Sequence, residues 1–302
     1  MLNCDVLKEF LFDCTLRKLS ERTMKSYKNN NLCLFRFIEK EYGILELEST
    51  THLCVRGYVE YLTKKNLSEV YINTVIRSFK VYFQYCVEEG YIINNPILKV
   101  KRQKEPMVVI NTFSDSEVKK MMTQYEEKDF LSTRNRLLLA VLFDTGIRCS
   151  ELCGLKMTDI RDDYINIYGK GKKIRHVPIT PVLYKYIIKY NRIRGYYFKD
   201  KYFYDADFYF LSRNGRRLTV EAIERVVGKA GESSDVRKEI RCSPHTARHY
   251  YAQAQLRNGI DVYSLSRLLG HSNINITKRY LQSIQDEDIL KKGLLSSPLM
   301  NL

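Results

Sequence analysis

The stretch CSPHTARHYYAQAQLRNGIDVYSLSRLLGHSNINITKRYL, residues 242–281, decides how this chain is read. Pro244 suits the first turn of a helix, where its missing N–H costs nothing. A helix starting there puts His245 and Arg248, three residues apart, on one face. Asn258-Gly259 ends that helix, Asp261 can cap the next, and Gly270 ends that one in turn. His271 follows the terminating glycine at once, and Tyr280 comes nine residues later, behind Lys278-Arg279. Taken singly, these residues have plain readings. A lone arginine on a helix is a solvated charge, a lone histidine at a helix start caps or packs, and Tyr280 is one of 23 tyrosines. His245 and His249 have the i, i+4 spacing of metal ligands, but no glutamate follows His245 as the zinc-protease pattern requires, so no metal is assigned. Order and spacing together carry the information.

Working upstream, Ser132 or Thr133 is expected to begin a helix through NRLLLAVLFD that stops at Thr145-Gly146, with Arg148 just past the break. Asp162-Asp163 turns into YINIY, Gly169-Lys170-Gly171 makes a bend, and IRHVPI returns, so a β-hairpin with a lysine-rich tip is expected. A capping-box pattern, Ser114 to Glu117, opens this second unit. The first hundred residues read as helices. One starts at Ser20 or Thr23 and stops at Gly43, another lies around 50–63, and Ser68 caps a third. In that third helix Ile72, Val75, Ile76, Phe79, Tyr82, Phe83, Cys86 and Val87 make a wide apolar stripe of helical period. Between the units, KVKRQKEPMVVIN (99–111) interrupts the pattern as a basic, extended linker.

The chain has 302 residues, a size that suits two domains, and 44% hydrophobic against 28% charged residues suits folded ones. The apolar runs fall short of a membrane span, and the N-terminus lacks the basic region of a secretory signal, so a cytoplasmic protein is expected. Eight scattered cysteines without a Cys-x-x-Cys pair read as reduced thiols. The net charge of +15 points to a polyanionic partner, and the absence of a basic amphipathic anchor favours nucleic acid over membrane. Residues 1–112 contribute +4 of that charge and the remainder +11.

The segments TGIRCSEL (145–152), YGKGKKIRHVPI (168–179), HTARH (245–249), LLGH (268–271) and TKRYL (277–281) occur in the order of the tyrosine site-specific recombinases. Over nearly its whole length the chain resembles a phage-integrase or Xer-type member of that family. FLSRNGRRLTVEAIERVV (210–227) has the look of the family's connecting strand and helix. The resemblance implies a mainly α fold with a small β-hairpin (α+β), built as a two-domain C-shaped clamp. Its parts would be a SAM-like helical core-binding domain (1–100), a linker (101–112), a catalytic domain (113–285) and a C-terminal tail (286–302) docking in trans. The catalytic set it implies is Arg148, Lys170, His245, Arg248, His271 and the nucleophile Tyr280, with Lys172 and Lys173 competing with Lys170 for the hairpin lysine.

Cleavage would then proceed through a 3′-phosphotyrosyl bond with a free 5′-hydroxyl, without metal, ATP or other cofactor. The residue types suit that task. Two guanidiniums can clamp the non-bridging oxygens of a phosphodiester as charge gathers on them. A phenol with an ordinary pKa near ~10 needs a proton acceptor; His245 would take that role, with His271 hydrogen-bonding the phosphate. Lys170 would protonate the departing 5′-oxygen. The implied partners are double-stranded DNA core sites, a homotetramer on two duplexes and an accessory directionality factor, in the bacterial nucleoid. No extra N-terminal module precedes the core-binding helices, which suggests action on short core sites. The Lys-, Asn- and Tyr-rich composition and scattered cysteines lean toward an integrase or transposase of a mobile element, with a Xer-like dimer resolvase as the alternative. A type IB topoisomerase and a non-catalytic DNA-binding accessory protein are the rivals.

Overall fold

In the computed structural model the chain forms two units, divided between residues 108 and 109. The structure describes residues 1–106, 110–169, 174–201 and 204–283, together with Leu294. Lys170, Lys172 and Lys173, part of the linker, and the tail 286–302 apart from Leu294 lie outside the described residues.

Four helices make the first unit: α1 (Asn3–Leu16), α2 (Glu21–Tyr42), α3 (His52–Lys64) and α4 (Glu69–Glu88). Ser20 and Ser68 cap α2 and α4 by accepting from the backbone N–H groups of Thr23 and Tyr71. Gly43 ends α2 in the left-handed conformation. The apolar stripe of α4 faces the core: Ile72, Val75, Ile76, Phe79, Tyr82, Phe83 and Cys86 are all buried in one cluster with Phe10, Leu34 and Ile38. Tyr82 meets Phe10 edge-on at 5.5 Å, and each such large side chain contributes on the order of 1.5–3 kcal/mol by leaving water.

The second unit is built around α6 (Phe130–Thr145), which is buried on nearly every side and packs against α8 (Pro181–Phe198) and α10 (Pro244–Arg257). This helix begins earlier than Ser132. Asp129 is the cap, accepting from the Ser132 N–H at 2.8 Å, while the Ser132 hydroxyl accepts from the Asp129 N–H at 3.2 Å. Ser132 is thus the reciprocal partner of a capping box, three residues beyond the cap of the helix it was expected to start. The Ser114–Glu117 capping box opens α5 (Asp115–Thr123), and α7 (Cys149–Gly154) follows α6 closely. Glu117 also takes the fork of Arg237, which holds its carboxyl down to about 2.

Strands β1 (Tyr164–Tyr168) and β2 (Ile174–Pro178) pair antiparallel, Ile165 opposite Val177 and Ile167 opposite Arg175. Helix α9 (Val220–Glu232) follows the 210–219 segment; α11 (Val262–Leu269) and α12 (Ile274–Lys278) come after α10. A 3-10 turn, Arg279–Ser283, then carries Tyr280. Its ring belongs to a small apolar cluster with Tyr251, Ala252, Leu256, Leu265 and Leu269, separate from the main core. Among the described residues no helix is long and apolar enough to cross a membrane, and all eight cysteines are unpaired.

Gly146 closes α6 at φ +59°, and a Cβ there would stand 2.3 Å from the Tyr251 ring. At Gly43, with φ +66°, no described atom lies within 4 Å of that position. Gly43→Ala should therefore cost about 1 kcal/mol, the strain of a left-handed alanine alone. Gly146→Ala should cost at least about twice that, because the clash adds to the strain. Urea unfolding of the two variants checks the contrast.

Candidate active site

The left-handed turn at Gly146 redirects the chain so that Arg148 becomes the first capping residue of α7. The Arg148 backbone N–H donates to Glu151 Oε2 at 2.8 Å, and its Nη1 donates to Oε1 at 2.9 Å. Its Nη2 donates to the carbonyl of Gly270 at 3.1 Å. The same carboxylate receives Arg175 from β2 as a two-pronged fork, Nη1 to Oε1 at 2.9 Å and Nη2 to Oε2 at 2.7 Å. Arg175 Nε donates to the Leu268 carbonyl at 2.8 Å. Burial pushes the Glu151 carboxyl up, but the Arg175 fork and charge and the Arg148 contacts outweigh it and leave it below the ordinary range. Glu151 therefore ties the helix of Arg148, the hairpin and the end of α11 together.

Arg248 points from α10 into the same region and is buried, 3% exposed. Its Nη1 donates to the Gly146 carbonyl at 2.6 Å and its Nη2 to the Leu269 carbonyl at 2.7 Å. His271 Nε2 lies 2.9 Å from Arg248 Nη2. An arginine can only donate, so this nitrogen accepts, and the proton sits on Nδ1, which donates to Thr277 Oγ1 at 2.7 Å. Burial first, then Arg248, Arg148 and Arg175, lower the His271 pKa to about 4 and keep the ring neutral. Burial also lowers the Arg248 guanidinium, to about 10, which leaves it charged at neutral pH.

The third cluster is the nucleophile candidate itself. Tyr280 is 3% exposed, and its Oη lies 2.9 Å from Nδ1 of His249. Desolvation raises the phenol pKa, while Arg248, Arg279 and Arg148 pull it back. His249 stands edge-on to the His245 ring, with centroids 4.2 Å apart. Burial, then His245, Arg248 and Arg279, lower its pKa to about 4. His245 lies on the exposed side of α10; its pKa is lowered by desolvation, then by Arg248, Arg279, Arg148 and Arg241. The structure thus gathers Arg148, His245, Arg248, His271 and Tyr280. It adds three residues that the sequence reading did not select: Glu151, Arg175 and His249.

Each of the three left a trace in the sequence. Glu151 is the third residue of a short helix, where a carboxylate is placed to accept from the backbone N–H at the helix start, here that of Arg148. Arg175 shares the inward face of β2 with the buried Val177, and a charge held there needs a partner. His249 shows in the sequence only as the second member of an i, i+4 histidine pair with His245. Among the described residues no group of three or more His, Cys, Asp or Glu side chains could hold a metal ion. What the site offers is guanidiniums, neutral imidazoles and one buried phenol, a set suited to an anionic ester and a tyrosine nucleophile.

Comparison with known proteins agrees. Residues 111–287 match the phage integrase family, and residues 4–102 match the phage integrase SAM-like domain. The chain belongs to the phage integrase family of tyrosine recombinases. It is 27% identical to the tyrosine recombinase XerD of Listeria monocytogenes serotype 4b (strain F2365), over 95% of this chain and 98% of that one. It is 28% identical to the tyrosine recombinase XerC of Staphylococcus aureus (strain bovine RF122 / ET3-1), over 93% and 92%. Among solved structures, the recombinase shares its fold with XerH bound to a palindromic difH substrate (TM-score 0.74, 19% identity, 94% and 82% of the two chains). It likewise resembles a lambda integrase dimer bound to a COC′ core site (TM-score 0.73, 18% identity, 91% and 97%). Members of this family are DNA strand-transfer enzymes, and the mainly helical fold with one small hairpin is theirs.

In this recombinase the Glu151–Arg175 pair is buried, with side chains 6% and 12% exposed. Removing one partner of such a pair costs about 3–5 kcal/mol, because the other charge is left desolvated. Glu151→Ala should lose stability on that scale in thermal melting, and it should free Arg148 from its hold. Arg175→Lys keeps the charge but cannot reproduce the fork together with the Leu268 bond, so it should show a smaller loss of the same kind.

Proposed function

We propose that this recombinase cleaves and rejoins duplex DNA at short core sites through a 3′-phosphotyrosyl bond to Tyr280. The observation that carries the reading is the buried Tyr280 hydroxyl, hydrogen-bonded to a neutral imidazole and within the field of Arg148 and Arg248. In the step proposed, Tyr280 Oη gives its proton to a histidine of the site and forms a bond to phosphorus while the bond to the 5′-oxygen breaks. Arg148 and Arg248 hold the non-bridging oxygens, and fixed donors of this kind are typically worth on the order of 10²–10³ in rate. His245 and His271 complete the phosphate's surroundings, and Lys170 gives a proton to the departing 5′-oxygen. One ester replaces another, so the reverse attack by a 5′-hydroxyl reseals the strand without an external energy source.

Exchange between two duplexes requires four strand cleavages, which we assign to a homotetramer with residues 286–302 linking neighbours and an accessory factor setting direction. For the biological task, similarity over nearly the full length to relatives named XerD and XerC supports a dimer resolvase. The mobile-element reading rests on the composition of the chain.

Trapping covalent protein–DNA adducts in cells, with Tyr280→Phe as control, tests the chemistry and the task together. Adducts dependent on Tyr280 are expected, and sequencing the trapped ends separates the roles. One chromosomal site near the replication terminus means a resolvase, whereas the ends of a mobile element mean an integrase or transposase. Equal adduct from wild type and control overturns the catalytic reading. Binding to duplex DNA should survive Tyr280→Phe, and six or more phosphate contacts would weaken it by about 10³-fold or more between 50 and 200 mM salt.

A further inference from the structure

We infer that His249 is the catalytic base of this recombinase, the group that takes the Tyr280 proton in cleavage and returns it in rejoining. The inference rests on the reading of Tyr280 as nucleophile and gives His249 the proton-accepting role that the sequence alone led one to expect of His245.

Geometry comes first. The Tyr280 ring is fixed in the apolar cluster of Tyr251, Leu256, Leu265 and Leu269, so its hydroxyl has little freedom to search for a partner. Within that constraint the hydroxyl stands 2.9 Å from His249 Nδ1, inside the range required of a general base. His249 is itself restrained: it lies on α10 between Arg248, which is anchored by the Gly146 and Leu269 carbonyls, and the edge-on ring of His245 one turn back. His245, on the exposed side of the helix, is left to face the DNA.

Chemistry points the same way. Burial and the charges of Arg248 and Arg279 keep the His249 imidazole neutral, with a nitrogen able to accept. In the absence of DNA those charges also make it a weak base, so the phenol keeps its proton. A phosphodiester held between Arg148 and Arg248 brings a negative charge that offsets them, and the ring becomes more basic when the proton has to move. The step balances. The Oη–H bond breaks and its proton goes to Nδ1, the Oη lone pair forms the bond to phosphorus, and the bond to the 5′-oxygen breaks, that oxygen being protonated from Lys170. On rejoining, the imidazolium gives the proton back to the departing phenolate.

The test is single-turnover cleavage by the full-length protein of a nicked duplex carrying the core sequence recovered by adduct trapping. It compares His249→Ala, His249→Asn and His245→Ala. The asparagine oxygen stands where Nδ1 stood and accepts the same hydrogen bond, but it cannot carry the proton away. A second duplex carries sulfur in place of the bridging 5′-oxygen, a leaving group that needs no protonation. Both His249 variants should cleave about 10²–10⁴-fold more slowly on both duplexes, with affinity for the uncleaved duplex unchanged. Lys170→Ala should instead be restored by the sulfur duplex, and added imidazole should partly restore His249→Ala. Cleavage by His249→Asn close to the wild-type rate overturns the inference and leaves His249 a positioning residue. A wild-type rate from His249→Ala, or rescue of both variants by the sulfur duplex, overturns it as well. None of these results touches the nucleophile assignment, which fails only if Tyr280→Phe still forms the covalent adduct.

Discussion

A single desolvated carboxylate organises the arginine cluster of this recombinase. Glu151 holds the guanidinium of Arg148 in its own helix cap and the fork of Arg175 from the hairpin, and Arg175 in turn reaches the carbonyl of Leu268 near the turn that presents His271. Three segments far apart in the chain thereby meet on one charge. Two arginines placed near each other, as Arg148 and Arg248 are, repel. The carboxylate offsets that repulsion while leaving Arg148 partly exposed, at 40% of its side chain, and so accessible to a ligand.

The other arginine is anchored differently. Arg248 spends its donors on the carbonyls of Gly146 and Leu269 and on His271 Nε2. Both carbonyls belong to helix ends, where C=O groups lack intrahelical partners, so the fold supplies acceptors at the two places where α6 and α11 stop. The two helix-ending glycines are therefore part of the site as well as punctuation. Gly146 turns the chain toward Arg148 and presents its carbonyl to Arg248. Gly270, with φ +64°, presents its carbonyl to Arg148 and lies against the Arg175 side chain.

Local chemistry made much of this legible. Ser20, Ser68, Asp261, Gly43 and Gly270 act at the helix ends they mark, and the alternation in YINIY and IRHVPI pairs as a hairpin. The α6 boundary was misread because a serine followed by an apolar run looks like a cap. Asp129, three residues earlier, accepts from the Ser132 N–H, and the Ser132 hydroxyl accepts from the Asp129 N–H in return. Arg148, His245, Arg248, His271 and Tyr280, which the structure brings together, are those implied by the family resemblance that the order of the segments carries. The residues missed are those whose meaning depends on tertiary contacts. His249 meets a tyrosine 31 positions away, and Arg175 meets a carboxylate 24 positions away, distances at which spacing alone carries no signal.

The electrostatics of the resting site also bear on its restraint. A phenol raised by burial beside an imidazole lowered to about 4 makes proton transfer uphill before DNA arrives, and the neutral His271, its Nε2 turned to Arg248, is likewise unready to donate to a phosphate. A docked phosphodiester would bear on both conditions at once, because its negative charge would make both imidazoles more basic. On the chemistry proposed above, Tyr280 would then become competent only in the presence of the bond it attacks. Since the same proton must return when the strand is resealed, a base too strong at rest would favour the free phenolate and the cleaved state. A weak one keeps cleavage and rejoining near balance, as an exchange of one phosphodiester for another requires.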